Sequence, residues 1–179
     1  MVYHRHMTDS PSPIVIEPSN PNWLILFQSE AALIQSVIGS YITSIEHIGS
    51  TAVPGLAAKP VIDILIGVQR VADSPLFLPP LTALGYIYRP EFESELPERR
   101  YLLKMKDGKH THHLHIVEST TQFFRKELAF RDYLRMHPET AEAYATLKYE
   151  LAKKFGSDRA GYTDAKTAFI QDVLGKTTQ

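Results

Sequence analysis

Cysteine is absent from the 179 residues. That excludes disulfides, thiolate nucleophiles and any sulfur-based zinc site, and it leaves His, Asp and Glu as the side chains available to a metal. A dominant charge is also lacking: 19 Lys+Arg stand against 20 Asp+Glu, a formal net charge of −1. A chain built for bulk DNA or RNA binding advertises its phosphate-neutralising charge in composition, so no such partner is expected. No apolar run reaches the roughly 18 residues of a membrane span, and the most apolar window, Val61 to Val68, contains Asp63. The N-terminus lacks the apolar stretch of a signal peptide, so a cytoplasmic protein is expected. Residues 1–13 read as a flexible tail, His4 and His6 included, and residues 14–179 as a single domain.

Proline is scarce in the second half. Eleven of the twelve prolines precede residue 98, and the remaining one, Pro138, stands where a helix can begin without losing an N–H bond. The first half therefore reads as turns and strands, the second as helices. Ile14 to Glu17 has the look of a short strand. Trp23, Phe27, Ala31, Leu33 or Ile34, and Val37 or Ile38 have the spacing of an amphipathic helix closed by Gly39. Ile42 to Ile48, Val61 to Val68 and Tyr86 to Arg89 are strand candidates, with a short helix over Leu76 to Leu84. Arg99 to Met105 and Thr111 to Val117 form a hairpin across Asp107-Gly108, a strong turn signal. Helices follow over Thr121 to Met136, Pro138 to Phe155 and Ala160 to Leu174. The class is α+β, with a mixed sheet, helices packed on one face and an open ligand-binding face.

Alternation along strands separates Ile62, Ile64 and Ile66, the core set, from Asp63. Parity places Asp63, Arg100, Lys104, His113 and His115 together on the open face. The charges divide unevenly: residues 1–97 carry 4 Lys+Arg and 9 Asp+Glu, residues 98–179 carry 15 and 11. The two halves can therefore meet across a site for something anionic.

The stretch from Glu46 to Ile66 carries the chemistry. A strand runs into Gly49-Ser50-Thr51, and a second strand bears Asp63 near its start. Gly49 permits close approach of a ligand to the backbone, Ser50 and Thr51 offer hydroxyls, and amides of a helix starting there would face an anion; a tight turn is the plain alternative. Asp63 could hold a divalent cation, Mg²⁺ or Mn²⁺, against bound phosphates. His113 and His115 either bind an anion, hydrogen-bond within the fold, or join Asp63 in a two-His, one-carboxylate metal site, while His110 and His112 read as exposed turn residues. Arg100 offers a fork for a phosphate or a surface salt bridge. Lys59 either reaches a phosphate or pairs with the Glu91/Glu93/Glu95 run. Tyr162 and Lys166, four apart, share a helix face, and Lys166 either meets the ligand or snorkels. Arg125, Lys126, Arg131 and Arg135 read as a solvated basic face.

The whole stretch resembles the GrpB family of nucleotidyltransferase-like proteins. The match extends to the His-rich strand, to Phe130 through Pro138 and to Tyr162 and Lys166, covering residues 14 to 174. The resemblance implies the polymerase-β-type nucleotidyltransferase fold, whose signature is Gly-Ser, a gap of about a dozen residues, then Asp-x-Asp/Glu. Gly49, Ser50 and Asp63 match it. Leu65 stands where the second acid belongs, and the acid of a later strand is replaced by His113 and His115. Lys166 would then reach toward a triphosphate or base.

The expected function is binding of a nucleotide or other phosphorylated small molecule, with transfer of a nucleotidyl or phosphoryl group if the protein is an enzyme. The alternatives are a non-catalytic nucleotide-binding or regulatory module and a His/Asp metal-dependent hydrolase. The sequence assigns no oligomeric state.

Overall fold

The computed structural model describes residues 13–177. The expected N-terminal tail, Pro13 excepted, lies outside them, as do His4 and His6. Five strands form one mixed sheet: β1 (Ile42–Ile48), β2 (Ile62–Val68), β3 (Ile87–Tyr88), β4 (Arg100–Lys106) and β5 (Lys109–Glu118), in the order β1-β2-β5-β4-β3. Only β2 and β5 run parallel; every other neighbouring pair is antiparallel. The helices are α1 (Asn22–Ile38), α2 (Ser74–Ala83), α3 (Gln122–Met136), α4 (Pro138–Phe155), α5 (Arg159–Ala165) and α6 (Thr167–Lys176). None is long and apolar enough to cross a membrane among the described residues.

One sheet face is the main core. Ile62, Ile64 and Ile66 of β2, Leu114 and Ile116 of β5 and Leu102 of β4 lie under Trp23, Ile34 and Ile38 of α1 and Phe77 and Leu81 of α2. Each such side chain, fully buried, contributes roughly 1.5–3 kcal/mol through removal of its apolar surface from water. The second face is covered only in part. Phe124 of α3 packs on Ile48, Leu65 and Val117, and α3 to α6 fold over the remainder to leave a cavity. Leu65 is wholly buried in that contact, so the position where a second acid would stand is an element of the α3 interface.

Three expectations change. Ile14 to Glu17 is not a strand but a chain segment tied by a Glu17–Ala58 bridge and by the Ile14 amide donating to the Gly156 carbonyl at 2.9 Å. The last helix is two, α5 and α6, meeting at Lys166. The third concerns β4. In the register of the hairpin, Tyr101 faces His115 and Leu103 faces His113, whereas Arg100 pairs with Ile116 and Lys104 with His112. Directly paired residues share a face, so Arg100 and Lys104 lie opposite His113, His115 and Asp63. Lys104 donates to Glu30 of α1 at 2.8 Å, and Arg100 reaches Ser74, Glu93 and the Pro97 carbonyl. Alternation along each strand does not fix how the faces of two strands match; that depends on the pairing register, and a shift of one residue exchanges the faces.

Candidate functional site

The cavity, about 460 Å³, opens between the Gly49–Ser50 loop, the Asp63 side of β2 and β5, and α4 to α6. Gly49 has φ +70°, and a Cβ there would press into the Asp63 carboxylate. Glycine is therefore required twice, by conformation and by space. The chain turns once as a short 3-10 helix over Ser50–Ala52. Ser50 shares a hydrogen bond with the Tyr144 hydroxyl. Thr51 lines the cavity, but its hydroxyl donates to the Val61 carbonyl (3.2 Å) and accepts from His47 Nε2 (3.0 Å). It fastens the loop to the entry of β2 rather than presenting a free hydroxyl to a phosphate. His47 is buried and stacked on Phe27 at 4.6 Å. Burial above all, with Arg135 and Arg131 nearby, lowers its pKa to about 4, against the pull of Asp63.

Asp63 Oδ1 accepts from His113 Nδ1 at 2.9 Å, and His113 Nε2 lies 2.9 Å from His110 Nδ1. His110 is thus a buried strand residue behind His113, not an exposed turn residue. His115 stands two residues on, and Arg99 Nη1 approaches its Nδ1 at 3.4 Å. Arginine can only donate, so Nδ1 accepts and the ring proton sits on Nε2. Burial first, then the Arg99 charge, holds the His115 pKa well below its ordinary value. Arg99 is buried between the Tyr101 and Phe123 rings. Arg99, not Arg100, is the arginine on this face.

The opposite wall is cationic. Lys59 and Lys166 place their Nζ atoms 5.4 and 4.4 Å from the centroid of the Tyr162 ring. Lys148 Nζ lies 4.8 Å from the Tyr144 ring and donates to the Ala57 carbonyl. Arg159 lines the same wall. Desolvation, then the Lys59 charge, lowers Lys148 to about 7; desolvation, then Lys59 and Lys148, lowers Lys166 to about 7 although Asp63 pulls the other way. Burial raises the Tyr162 and Tyr144 hydroxyls above their usual range.

Of the predicted residues, Gly49, Ser50, Thr51, Lys59, Asp63, His113, His115, Tyr162 and Lys166 all line the cavity; Arg100 is not among its lining. Sequence reasoning misses Tyr144, Lys148 and Arg159, and alternation picks Arg100 over its neighbour Arg99. A signal existed for two of them: Tyr144-x-x-x-Lys148 repeats the Tyr162-x-x-x-Lys166 spacing. Of the run read as a solvated basic face, Arg125, Lys126 and Arg135 are exposed, whereas Arg131 is buried. Arg131 pairs with Glu46 at 2.6 Å, and Arg135 donates twice to the Ala52 carbonyl.

The donors do not fit a pair of catalytic metals, which needs carboxylates on both ions. Leu65 is apolar and buried. The two-His, one-carboxylate chelate is not assembled either: both ring nitrogens of His113 are engaged, and His115 turns Nδ1 to Arg99. Among the described residues no three His, Asp or Glu side chains converge as a metal site would. Asp63 is left as a carboxylate of the kind that a single hard cation takes as one of its oxygen ligands.

The profile of the family described as GrpB protein matches residues 13–176. The glutamate-rich protein GrpB of Alkalihalophilus pseudofirmus is 32% identical over 167 residues, covering 91% of this chain and 95% of that protein. A UPF0157 protein of Pseudomonas aeruginosa is 38% identical over 168 residues, covering 91% and 67%. The crystal structure of the conserved protein GrpB from Enterococcus faecalis aligns with a TM-score of 0.82 at 38% identity, covering 91% of this chain and 96% of that one.

Proposed function

The chain belongs to the GrpB family, and from that premise we propose that it binds a nucleotide or another phosphorylated small molecule in the cavity beside Gly49 and Ser50. One observation carries this reading: Lys59, Lys148 and Lys166 converge on a 460 Å³ space that also holds Asp63. Burial first, and then repulsion among the gathered amines, lowers the pKa of Lys148 and Lys166. A phosphate reverses the balance, because each oxyanion accepts charge-assisted hydrogen bonds and restores the lysine protons. The aromatic faces of Tyr144 and Tyr162 hold the ammonium groups in place meanwhile.

Binding, rather than transfer, is the activity these donors favour. Nucleotidyl transfer by paired metals lacks its second carboxylate at Leu65. A Mg²⁺ or Mn²⁺ ion arriving with a nucleotide has Asp63, held by His113, as the carboxylate beside the Gly49–Ser50 loop. Calorimetry with ATP, GTP and CoA, with and without Mg²⁺, tests the reading. The expected result is a saturable isotherm with at least one of them, whose Mg²⁺ dependence disappears in Asp63→Ala. Absence of binding to all three removes the proposal.

A further inference from the structure

The loop that joins β1 to β2 is gripped from the helical half of the chain by cations, and each of them takes a backbone carbonyl. Arg131 of α3 donates to the His47 carbonyl at 3.1 Å, Arg135 of α3 donates to the Ala52 carbonyl through Nε at 3.0 Å and Nη2 at 2.9 Å, and Lys148 of α4 donates to that of Ala57. These carbonyls stand at the start, middle and end of the loop. Its place in the fold has a separate support, because Val53 and Leu56 are buried against Leu134 of α3 and Ala141 and Tyr144 of α4. What the cations add is direction. A carbonyl oxygen is the negative end of its peptide dipole, and one turned toward a bound phosphate repels it.

Arg135 differs from the other two. Lys148 lines the cavity itself, and Arg131 is buried between Glu46 and Asp132, so a change at either alters ligand contact or a buried ion pair. Arg135 is not part of the cavity lining, its side chain is 39% exposed, and its other contact is Asp132 at 3.6 Å. The peptide it holds is the one that closes the turn: the Ala52 carbonyl faces Arg135, while the amide on its other side, from Val53, donates to the Ser50 carbonyl at 3.2 Å. The orientation imposed by Arg135 is thereby passed to Ser50, which lines the cavity. We infer that Arg135 is a positioning residue for phosphate binding, whose forked bond keeps the Ala52 carbonyl on the α3 side and away from an anion beside Gly49 and Ser50. The inference rests on the proposed phosphate site, and Arg135 acts through the loop without touching the ligand. Two donors from one planar guanidinium fix a direction that a single ammonium does not.

The test is calorimetric titration of ATP, GTP and CoA into the full chain, Arg135→Met and Arg135→Lys, each well below its melting transition. Methionine keeps an extended apolar stem and has no donor; lysine restores a cation with one donor nitrogen in place of two. The affinity of each ligand that binds is expected to fall about tenfold in the Met variant, the scale of a charged hydrogen bond, and about threefold in the Lys variant. The ligand-induced amide shifts of Ser50 and Thr51 in nitrogen-15 spectra should shrink in the same order. A lower melting temperature with unchanged affinity in both variants makes Arg135 a structural contact only and overturns the inference. Should the Met variant fail to fold, the Lys variant decides by itself: unaltered affinity and unaltered Ser50 and Thr51 shifts overturn it. Ligand binding that is equal in all three proteins defeats the positioning role alone; no binding of ATP, GTP or CoA to the unaltered chain removes the phosphate reading beneath it.

Discussion

At Gly49, conformation and contact reinforce one another. A side chain there meets Asp63 and must adopt φ +70°. Gly49→Ala is expected to cost about 1–3 kcal/mol, the scale of a non-glycine residue forced into this region, and the loss is read as a lower melting temperature. An unchanged melting temperature contradicts the tight Gly49–Asp63 contact. The lysines make a second prediction at this scale. Burial and neighbouring lysines lower Lys148 and Lys166 to about 7, and a bound phosphate raises both. Binding therefore takes up protons above pH 7, and affinity declines as pH rises, by up to about tenfold per unit for each lysine. Calorimetry in buffers of different ionisation enthalpy at pH 8 measures the uptake directly. No uptake means the lysines do not meet the anion.

At the level of elements, the strands and helices were largely legible, and the errors have physical causes. β1 matches its predicted bounds, and α3 and α4 match to within a residue, because periodicity, Thr121 at the N-cap and Pro138 at N1 all agree. The face of Asp63 was legible from alternation along β2. The face of Arg100 was not, since alternation fixes faces only relative to a register, and the register of β4 against β5 is a pairing fact. The break at Lys166 was hidden because Tyr162 to Val173 keeps a helical apolar spacing through it. Leu65 shows why an apparent defect in the signature is built into the fold: it is the floor of the α3 interface. Leu65→Asp should therefore lower stability by roughly 3–5 kcal/mol, through lost burial and an unpaired carboxylate, rather than confer transfer. Urea unfolding gives the value, and a stable, nucleotidyl-transferring variant contradicts the assignment. The loop between β1 and β2 adds a pH effect. His47 titrates at about 4 when folded and near 6.5 when unfolded. The stability this contributes is fully present above pH 6.5 and is lost as pH falls through 4, up to about 3 kcal/mol for His47. His47→Gln should lose that share of the acid dependence, read from urea midpoints at pH 7 and pH 4.5; equal slopes for both proteins refute it.

Over the whole molecule, the sheet acts as a partition. One face is an apolar core closed by α1 and α2, and the other carries Asp63, His113 and His115 beneath helices that bring in the cations. The near-neutral net charge of −1 conceals this division, because Lys148, Arg159 and Lys166 from the helical half converge on Asp63 and Lys59 from the first half. A ligand bridging the two halves stabilises the folded chain by mass action, by about 2.7 kcal/mol at a hundredfold excess over Kd. The decisive measurement is calorimetric titration of the full chain with ATP at pH 7, beside a Lys59→Ala/Lys166→Ala variant of verified fold. The proposed function predicts saturable binding to the unaltered chain and its loss, by tenfold or more, in the variant. Equal affinity of the two proteins, or no binding of ATP, GTP or CoA to either, contradicts it.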